Sequence, residues 1–286
     1  MFTMAAIMDG ESLAKTLKKD IAARVSELRK KGTVPKLATI LVGSRAASKT
    51  YVRLKERDCE EVGISTKTYE LPEASEREVF DLIGKLNEDK SVHGILVQMP
   101  LPPHLSGTNV IDRISPEKDV DGLHPLNVGK LWLGTYDLEK DLLPCTPKGI
   151  MKLLDHYKVE LAGKHVVIIN RSNLVGKPLS KLMLDRHATV TLCHSKTKDL
   201  KEHTKKADVI VAAVGCRPDF IITEDQVKAG AVVVDAGISF IEGKACGDID
   251  FEKIKKKAAY VTPCPGGVGP MTRAMLLHNI LIAARE

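Results

Sequence analysis

Tyr51 and Lys55 stand four residues apart in Tyr51-Val-Arg-Leu-Lys55. On a helix that spacing puts both on one face, where a flat ring and a single amine address the same ligand. Taken alone, the pair more often marks a half-buried tyrosine beside a solvated lysine. Gln98 closes the apolar run Gly94-Ile-Leu-Val-Gln98, and Met99-Pro100-Leu-Pro102-Pro103 cannot continue a ladder. Its amide is thus expected at the carboxyl end of a buried strand, where open α/β sheets place their ligands. Asp119, Asp121 and His124 crowd one loop between Pro116 and Pro125. Two carboxylates and a histidine there describe a solvated turn or a grip on a polar ligand.

A second group of residues could hold a cofactor. Asn170-Arg171-Ser172-Asn173-Leu174-Val175-Gly176 follows the apolar run from Lys164 and precedes a helix expected to begin near Pro178. A strand, a tight turn with a glycine and a helix N-terminus hold a pyrophosphate, because free N–H groups and the helix dipole favour the anion. The turn is not G-x-G-x-x-G, so by itself it also describes an ordinary βα unit. The next strand, Thr189 to Cys193, ends in His194-Ser195-Lys196, where an NAD-preferring site carries an acid. Arg171 and Ser195 instead offer a guanidinium and a hydroxyl to a 2′-phosphate, so NADP is expected over NAD. Thr262 to Thr272 holds three glycines and three prolines in eleven residues, which suggests a loop lying flat on a ligand with exposed N–H groups.

The elements that must position these residues alternate along the chain. Helical periodicity over Glu11 to Lys31 is followed by strand Lys36 to Val42, helix Ala46 to Val62, strand Thr66 to Leu71, and a helix from the capping box Ser75/Glu78 to about Asn87. Strand Gly94 to Gln98 lacks polar alternation, as a parallel strand covered on both faces does. A short helix is expected at Asn109 to Arg113, and a helix from a Thr146 cap with Pro147 at its first position to about Tyr157. Strands at Lys164 to Asn170, Thr189 to Cys193, Val209 to Val214, Ala231 to Ala236 and Ala259 to Val261 precede a closing helix at Arg273 to Arg285. The pattern is α/β throughout.

The 286 residues suffice for two domains with separate cores. Aromatic content of 4% and a net charge of +6 spread over scattered lysines argue against a nucleic-acid surface. Six dispersed cysteines without C-x-x-C spacing point to reduced thiols and no structural metal. The apolar opening Met1 to Met8 is too short for a secretion signal, and no run reaches the roughly 18 residues of a membrane helix. A soluble, cytoplasmic protein without membrane contact is expected.

Six stretches together carry a resemblance: Tyr51 to Lys55, Gln98 to Pro102, Lys118 to Pro125, Pro144-Cys-Thr-Pro147, Arg171 to Pro178, and Thr262 to Thr272. Over nearly its full length the chain resembles the bifunctional methylenetetrahydrofolate dehydrogenase/methenyltetrahydrofolate cyclohydrolase family, the FolD type. Two departures stand out, Asn170 where the family commonly has Gly and Met99 where it commonly has Leu.

The resemblance implies a folate-binding catalytic domain over residues 1–146, with the closing segment 272–286 packing back on it, and a Rossmann NADP-binding domain over 147–271, facing across a cleft. It implies oxidation of 5,10-methylenetetrahydrofolate with NADP, then hydrolysis to 10-formyltetrahydrofolate, by a homodimer joined through the Rossmann domains. Lys55 would be the catalytic amine, Gln98 its partner, Tyr51 the ring along the folate and Asp121 the carboxylate gripping the pterin. Asn170, Arg171, Ser172, Gly176, Ser195, Thr146 and Ile238 would serve the cofactor, and Pro263, Gly266 and Gly267 the substrate, beside Tyr51 and Asp121. Alternatives are a dehydrogenase-only relative, in which Lys55 merely positions folate, and a non-catalytic NADP sensor on the same fold.

Overall fold

A computed structural model describes residues 4–285, apart from the side chain of Ala47, as two compact units. One comprises residues up to Lys15 with Thr146–Thr272, and the other Thr16–Cys145 with the chain from Arg273 onward. The first three residues of the apolar opening lie outside the described part. The chain begins with a two-residue strand β1 (Ala6–Ile7) and the long helix α1 (Gly10–Lys30).

The smaller sheet has three parallel strands in the order β3-β2-β4: β2 (Lys36–Val42), β3 (Ser65–Leu71) and β4 (Gly94–Val97). Helices α2 (Ala46–Glu61) and α3 (Glu76–Glu88) link them. Ile40, Val42, Val79, Ile83, Ile95 and Val97 form its core, and each buried aliphatic side chain contributes about 1.5–3 kcal/mol. Ser75 and Glu78 make the expected capping box on α3. At the other end of α3, Lys118 Nζ donates to the carbonyls of Leu86, Asn87 and Asp89 at 3.0, 2.7 and 2.9 Å. This lysine of the Lys118–Pro125 stretch thus satisfies carbonyls that the helix end leaves open. Periodicity predicts no helix after Pro125, yet α4 (Pro125–Leu133) forms there and ends at Gly134 with φ 71°. Leu126, Trp132 and Leu133 are exposed on it, which blurs its periodicity.

The six-stranded sheet is parallel throughout, in the order β1-β11-β8-β7-β5-β6. Its strands are β5 (His165–Ile169), β6 (Thr189–Cys193), β7 (Val209–Ala212), β8 (Val232–Asp235) and β11 (Tyr260–Val261), with β1 at one edge. Helices α5 (Cys145–His156), α6 (Gly176–Asp185), α7 (Leu200–Thr204) and α8 (Phe251–Ile254) belong to this part of the chain, as does a hairpin of β9 (Ser239–Ile241) and β10 (Lys244–Cys246). Val167, Ile169, Ile210, Val233 and Val261 fill the core. Strand order reverses between β5 and β7, the topological switch at which doubly wound sheets bind ligands.

Three boundaries differ from the sequence expectation. Residues up to Lys15 group with the six-stranded unit instead of the first domain, because Ala6–Ile7 pairs with Tyr260–Val261. Helix α5 starts at Cys145, so Thr146 lies inside it instead of capping it. The closing helix α9 (Val268–Ala283) starts five residues early: Gly269 and Pro270 fall in its first turn, where a proline's missing N–H costs nothing. Only the first part of the Thr262–Thr272 stretch is therefore loop. No helix among the described residues is long and apolar enough to cross a membrane.

Candidate active site

Lys55 sits on α2 one turn after Tyr51, and both are half-buried. Its Nζ donates to Gln98 Oε1 at 3.0 Å across 43 residues of sequence. Gln98 follows β4, and its backbone N–H donates to Ile40 O of β2 at 2.9 Å. Its Nε2 donates to Met99 O at 2.6 Å, which fixes which amide atom faces the lysine. The result is an uncharged acceptor aimed at a primary amine. One turn beyond Lys55, Asp58 is buried and paired with Lys18 Nζ at 2.6 Å and Arg273 Nε at 2.5 Å, which ties α2 to α1 and α9.

Asp121 lies in the loop before α4, and burial lifts its carboxyl above the ordinary range while the Lys55 charge pulls it back. The two groups therefore sense one another in the folded unit. Asp119 holds this loop in shape: its Oδ2 accepts the His124 N–H at 2.7 Å and Asn127 Nδ2 at 2.9 Å. Its Oδ1 is buried without a hydrogen-bond partner. Burial pushes the Asp119 carboxyl up to about 6, and repulsion from Asp121 adds to this against the two donors. The His124 ring caps α4, its Nδ1 accepting the Leu126 N–H at 3.1 Å. Gly122, with φ 70°, is required because a Cβ there would lie 2.2 Å from the Leu143 carbonyl carbon.

In the six-stranded unit, Asn170, Ser172 and Gly176 meet at the carboxyl end of β5. Asn170 Oδ1 accepts the Ser172 N–H and hydroxyl, both at 2.7 Å, and the Gly176 N–H at 3.0 Å. A Cβ on Gly176 would lie 2.1 Å from Asn170 O, so this approach needs glycine. The helix-start donors expected to be free are engaged: beside the Gly176 N–H, the Lys177 N–H bonds Ser172 O at 3.1 Å, while Pro178 has none. Arg171 and Ser195 are both exposed. Each lies two residues beyond the paired positions Ile169 and Cys193, at the same end of neighbouring strands. A guanidinium and a hydroxyl so placed fit a 2′-phosphate.

The remaining candidates are spread over the same unit. Thr146 Oγ1 lies 3.0 Å from Thr272 Oγ1. Ile238 is exposed just after β8. Pro263, Gly266 and Gly267 form the turn before α9, where Glu11 N–H donates to Gly266 O at 2.9 Å.

Comparison with known proteins agrees with both halves of this arrangement. Residues 8–121 match the tetrahydrofolate dehydrogenase/cyclohydrolase catalytic domain, and residues 144–286 match the NAD(P)-binding domain of the same enzymes. The chain belongs to the tetrahydrofolate dehydrogenase/cyclohydrolase family. It is 51% identical over 283 residues to the bifunctional protein FolD of Halalkalibacterium halodurans, covering 99% of each chain. The crystal structure of the bifunctional FolD enzyme of Campylobacter jejuni matches with a TM-score of 0.93 at 48% identity, covering 98% of this chain and 99% of that one. The Trypanosoma brucei dehydrogenase-cyclohydrolase, crystallised with NADP and an inhibitor, also gives 0.93 at 36% identity, covering 99% and 98%.

Within this family member, two features escaped the sequence reading. Asp119 as the brace of the Asp121 loop is one; the only signal was a second acid two residues upstream. The other is a pair of buried acids, Asp235 and Asp248. Asp235 Oδ1 accepts the Asp248 N–H at 2.9 Å, and Asp248 accepts the N–H groups of Val214 and Gly215 after β7 at 2.5 and 3.0 Å. Arg217 Nε completes the network on Gly247 O at 2.7 Å. Backbone donors, not a cation, supply most of the compensation for these charges, and no local sequence pattern announces that.

Proposed function

We propose that the protein oxidises 5,10-methylenetetrahydrofolate to the methenyl form with NADP and then hydrolyses it to 10-formyltetrahydrofolate. The observation that carries this is the Lys55–Gln98 contact at 3.0 Å, on the helix face that also bears Tyr51 and within electrostatic reach of Asp121. The full-length likeness to bifunctional FolD proteins supports the same reading.

Asp121 grips the pterin, whose amino-pyrimidine edge offers parallel N–H donors to one carboxylate. Tyr51 lies along the folate and orients the bridge carbon. NADP, when bound, supplies the acceptor for the hydride that leaves this carbon. Oxidation then requires mainly alignment, because the two folate nitrogens share the positive charge that remains.

Hydrolysis requires a water beside that cation. Lys55 in its neutral form takes one proton from the water as the oxygen bonds to the carbon; the carbon–N5 bond then breaks as the new hydroxyl becomes the formyl carbonyl, its proton passing to N5, and the proton on Lys55 is released to solvent. Gln98 holds the amine in place through Oε1 without adding a charge that would favour its protonated form. Arg171 and Ser195 hold the 2′-phosphate and select NADP.

The protein works as a cytoplasmic homodimer joined through its six-stranded units, with Thr16–Cys145 and the chain from Arg273 onward around the folate and Thr146–Thr272 around the cofactor. The experiment is a spectrophotometric assay of methylenetetrahydrofolate oxidation with NADP and with NAD, and of methenyl hydrolysis alone. Faster turnover with NADP and independent hydrolysis are expected. Faster reduction of NAD at equal concentration would overturn the reading of Arg171 and Ser195.

A further inference from the structure

We propose that Asn170 is a positioning residue that clamps the cofactor turn shut across the switch point of the six-stranded sheet, leaving the dinucleotide phosphates to be recognised by side chains instead of by the start of helix α6. The inference rests on the NADP reading above. Asn170 follows β5, and its Nδ2 donates to Ala213 O, just past β7, at 2.6 Å. Strands β5 and β7 are the pair between which the strand order reverses, so this bond spans the crevice in which a doubly wound sheet holds its ligand.

The other end of the same amide is equally committed. Oδ1 takes three donors, the Ser172 N–H, the Ser172 hydroxyl and the Gly176 N–H. Ser172 Oγ in turn accepts the Val175 N–H at 3.1 Å. With the Gly176 N–H on Asn170, the Lys177 N–H on Ser172 O and no N–H on Pro178, the first turn of α6 keeps no donor for a pyrophosphate. A glycine at 170 has no side chain to do this, and Ser172 and Gly176 N–H would be open to an anion. The Asn170 side chain spends both its acceptor and one donor on the turn, so it shapes the site without reaching for the cofactor itself.

A preshaped turn lowers the ordering cost of binding. The exposed Arg171 and Ser195 then meet the phosphates from a fixed frame, and the sequence departure at 170 exchanges backbone recognition for rigidity. Asn170→Ala removes both halves of the clamp while keeping a Cβ, and Asn170→Gly removes them and frees the backbone.

The test is calorimetric titration of the full-length wild type and both variants with NADP, alongside melting temperatures and amide hydrogen exchange of the cofactor-free proteins. The expected result is an NADP dissociation constant raised about tenfold in both variants, the loss of one or two neutral hydrogen bonds. Faster exchange at Ser172 and Gly176 and melting temperatures within a few degrees of wild type accompany it. Unchanged or tighter NADP binding in Asn170→Gly would overturn the proposal, because it would mean that the freed N–H groups do the work of the clamp. Should either variant unfold, Asn170→Asp, which keeps the acceptor but loses the donor to Ala213, must also bind NADP more weakly, and equal affinity there overturns the clamp. Failure of the wild type to bind NADP would instead overturn the NADP reading.

Discussion

Asp235 accepts the backbone N–H of Asp248 at 2.9 Å while both carboxylates are withdrawn from solvent, with 3% and 0% of their surface exposed. Burial, reinforced by the Asp248 charge, pushes the Asp235 carboxyl up to about 7 against the pull of the N–H groups of Asp248, Gly237 and Ile249. The folded protein therefore holds this proton more tightly than the unfolded chain, whose carboxyl sits near the ordinary 3.8. Stability is greatest at low pH on this account and falls as pH rises from about 4 to about 7. Thermal melts from pH 5 to 8 are expected to show the midpoint dropping by several degrees. Asp235→Asn should make the fall shallower up to about pH 7, leaving the part due to the other raised carboxyls, Asp119, Asp121 and Asp248. An unchanged slope in that variant would exclude Asp235 as its source.

Asp58 anchors the helix that carries Lys55, through buried ion pairs to Lys18 and Arg273. Asp58→Ala removes the buried partner of two partly desolvated cations, of which Lys18 keeps Glu61 at 2.7 Å, and is expected to cost about 3 kcal/mol. Arg273→Ala leaves the Lys18 pair intact and should cost less. Urea denaturation of the two variants decides this, and equal losses would show that Arg273, not Asp58, is the centre of the network.

Gly122→Ala forces a Cβ to within 2.2 Å of the Leu143 carbonyl carbon at a residue with φ 70°. The loop must move, and Asp121 moves with it. A loss of about 2 kcal/mol or more in stability and a raised KM for the folate in both reactions are expected. Wild-type kinetics in a stable Gly122→Ala would detach the shape of this loop from substrate binding.

Much of this was legible beforehand, and for physical reasons. Strand Lys36–Val42 and helix α2 were read almost to the residue, because a buried parallel strand is a continuous apolar run and α2 is closed by Gly63. The strand-end rule puts Gln98 at a ligand site, but its pairing with Lys55, which spans 43 residues, is legible only through the family resemblance. The β9–β10 hairpin, α7 and α8 were not read, being three to five residues each and too short for a period to develop. The Asp235–Asp248 pair was hidden because its compensation comes from backbone groups of distant loops. The strand–turn–helix after β5 falls where its sequence pattern predicts it, but the N–H groups of Ser172 and Gly176, expected free, are taken by Asn170.

Asp121→Asn keeps the size of the side chain and removes the charge that, in the proposed function, accepts two pterin N–H donors at once. Both reactions need the pterin held, so kcat/KM should fall by about 100-fold in each. Steady-state assays of oxidation and of hydrolysis check this, and a loss confined to one reaction would remove Asp121 from its shared role.

The most direct measurement is methenyltetrahydrofolate hydrolysis by Lys55→Met, followed without NADP and beside a binding titration with the folate. Loss of hydrolysis by about 1,000-fold or more, with folate affinity within a few-fold of wild type, is predicted for an amine that moves the proton of the attacking water. Near-normal hydrolysis in that variant would contradict the account and leave Lys55 a positioning residue at most.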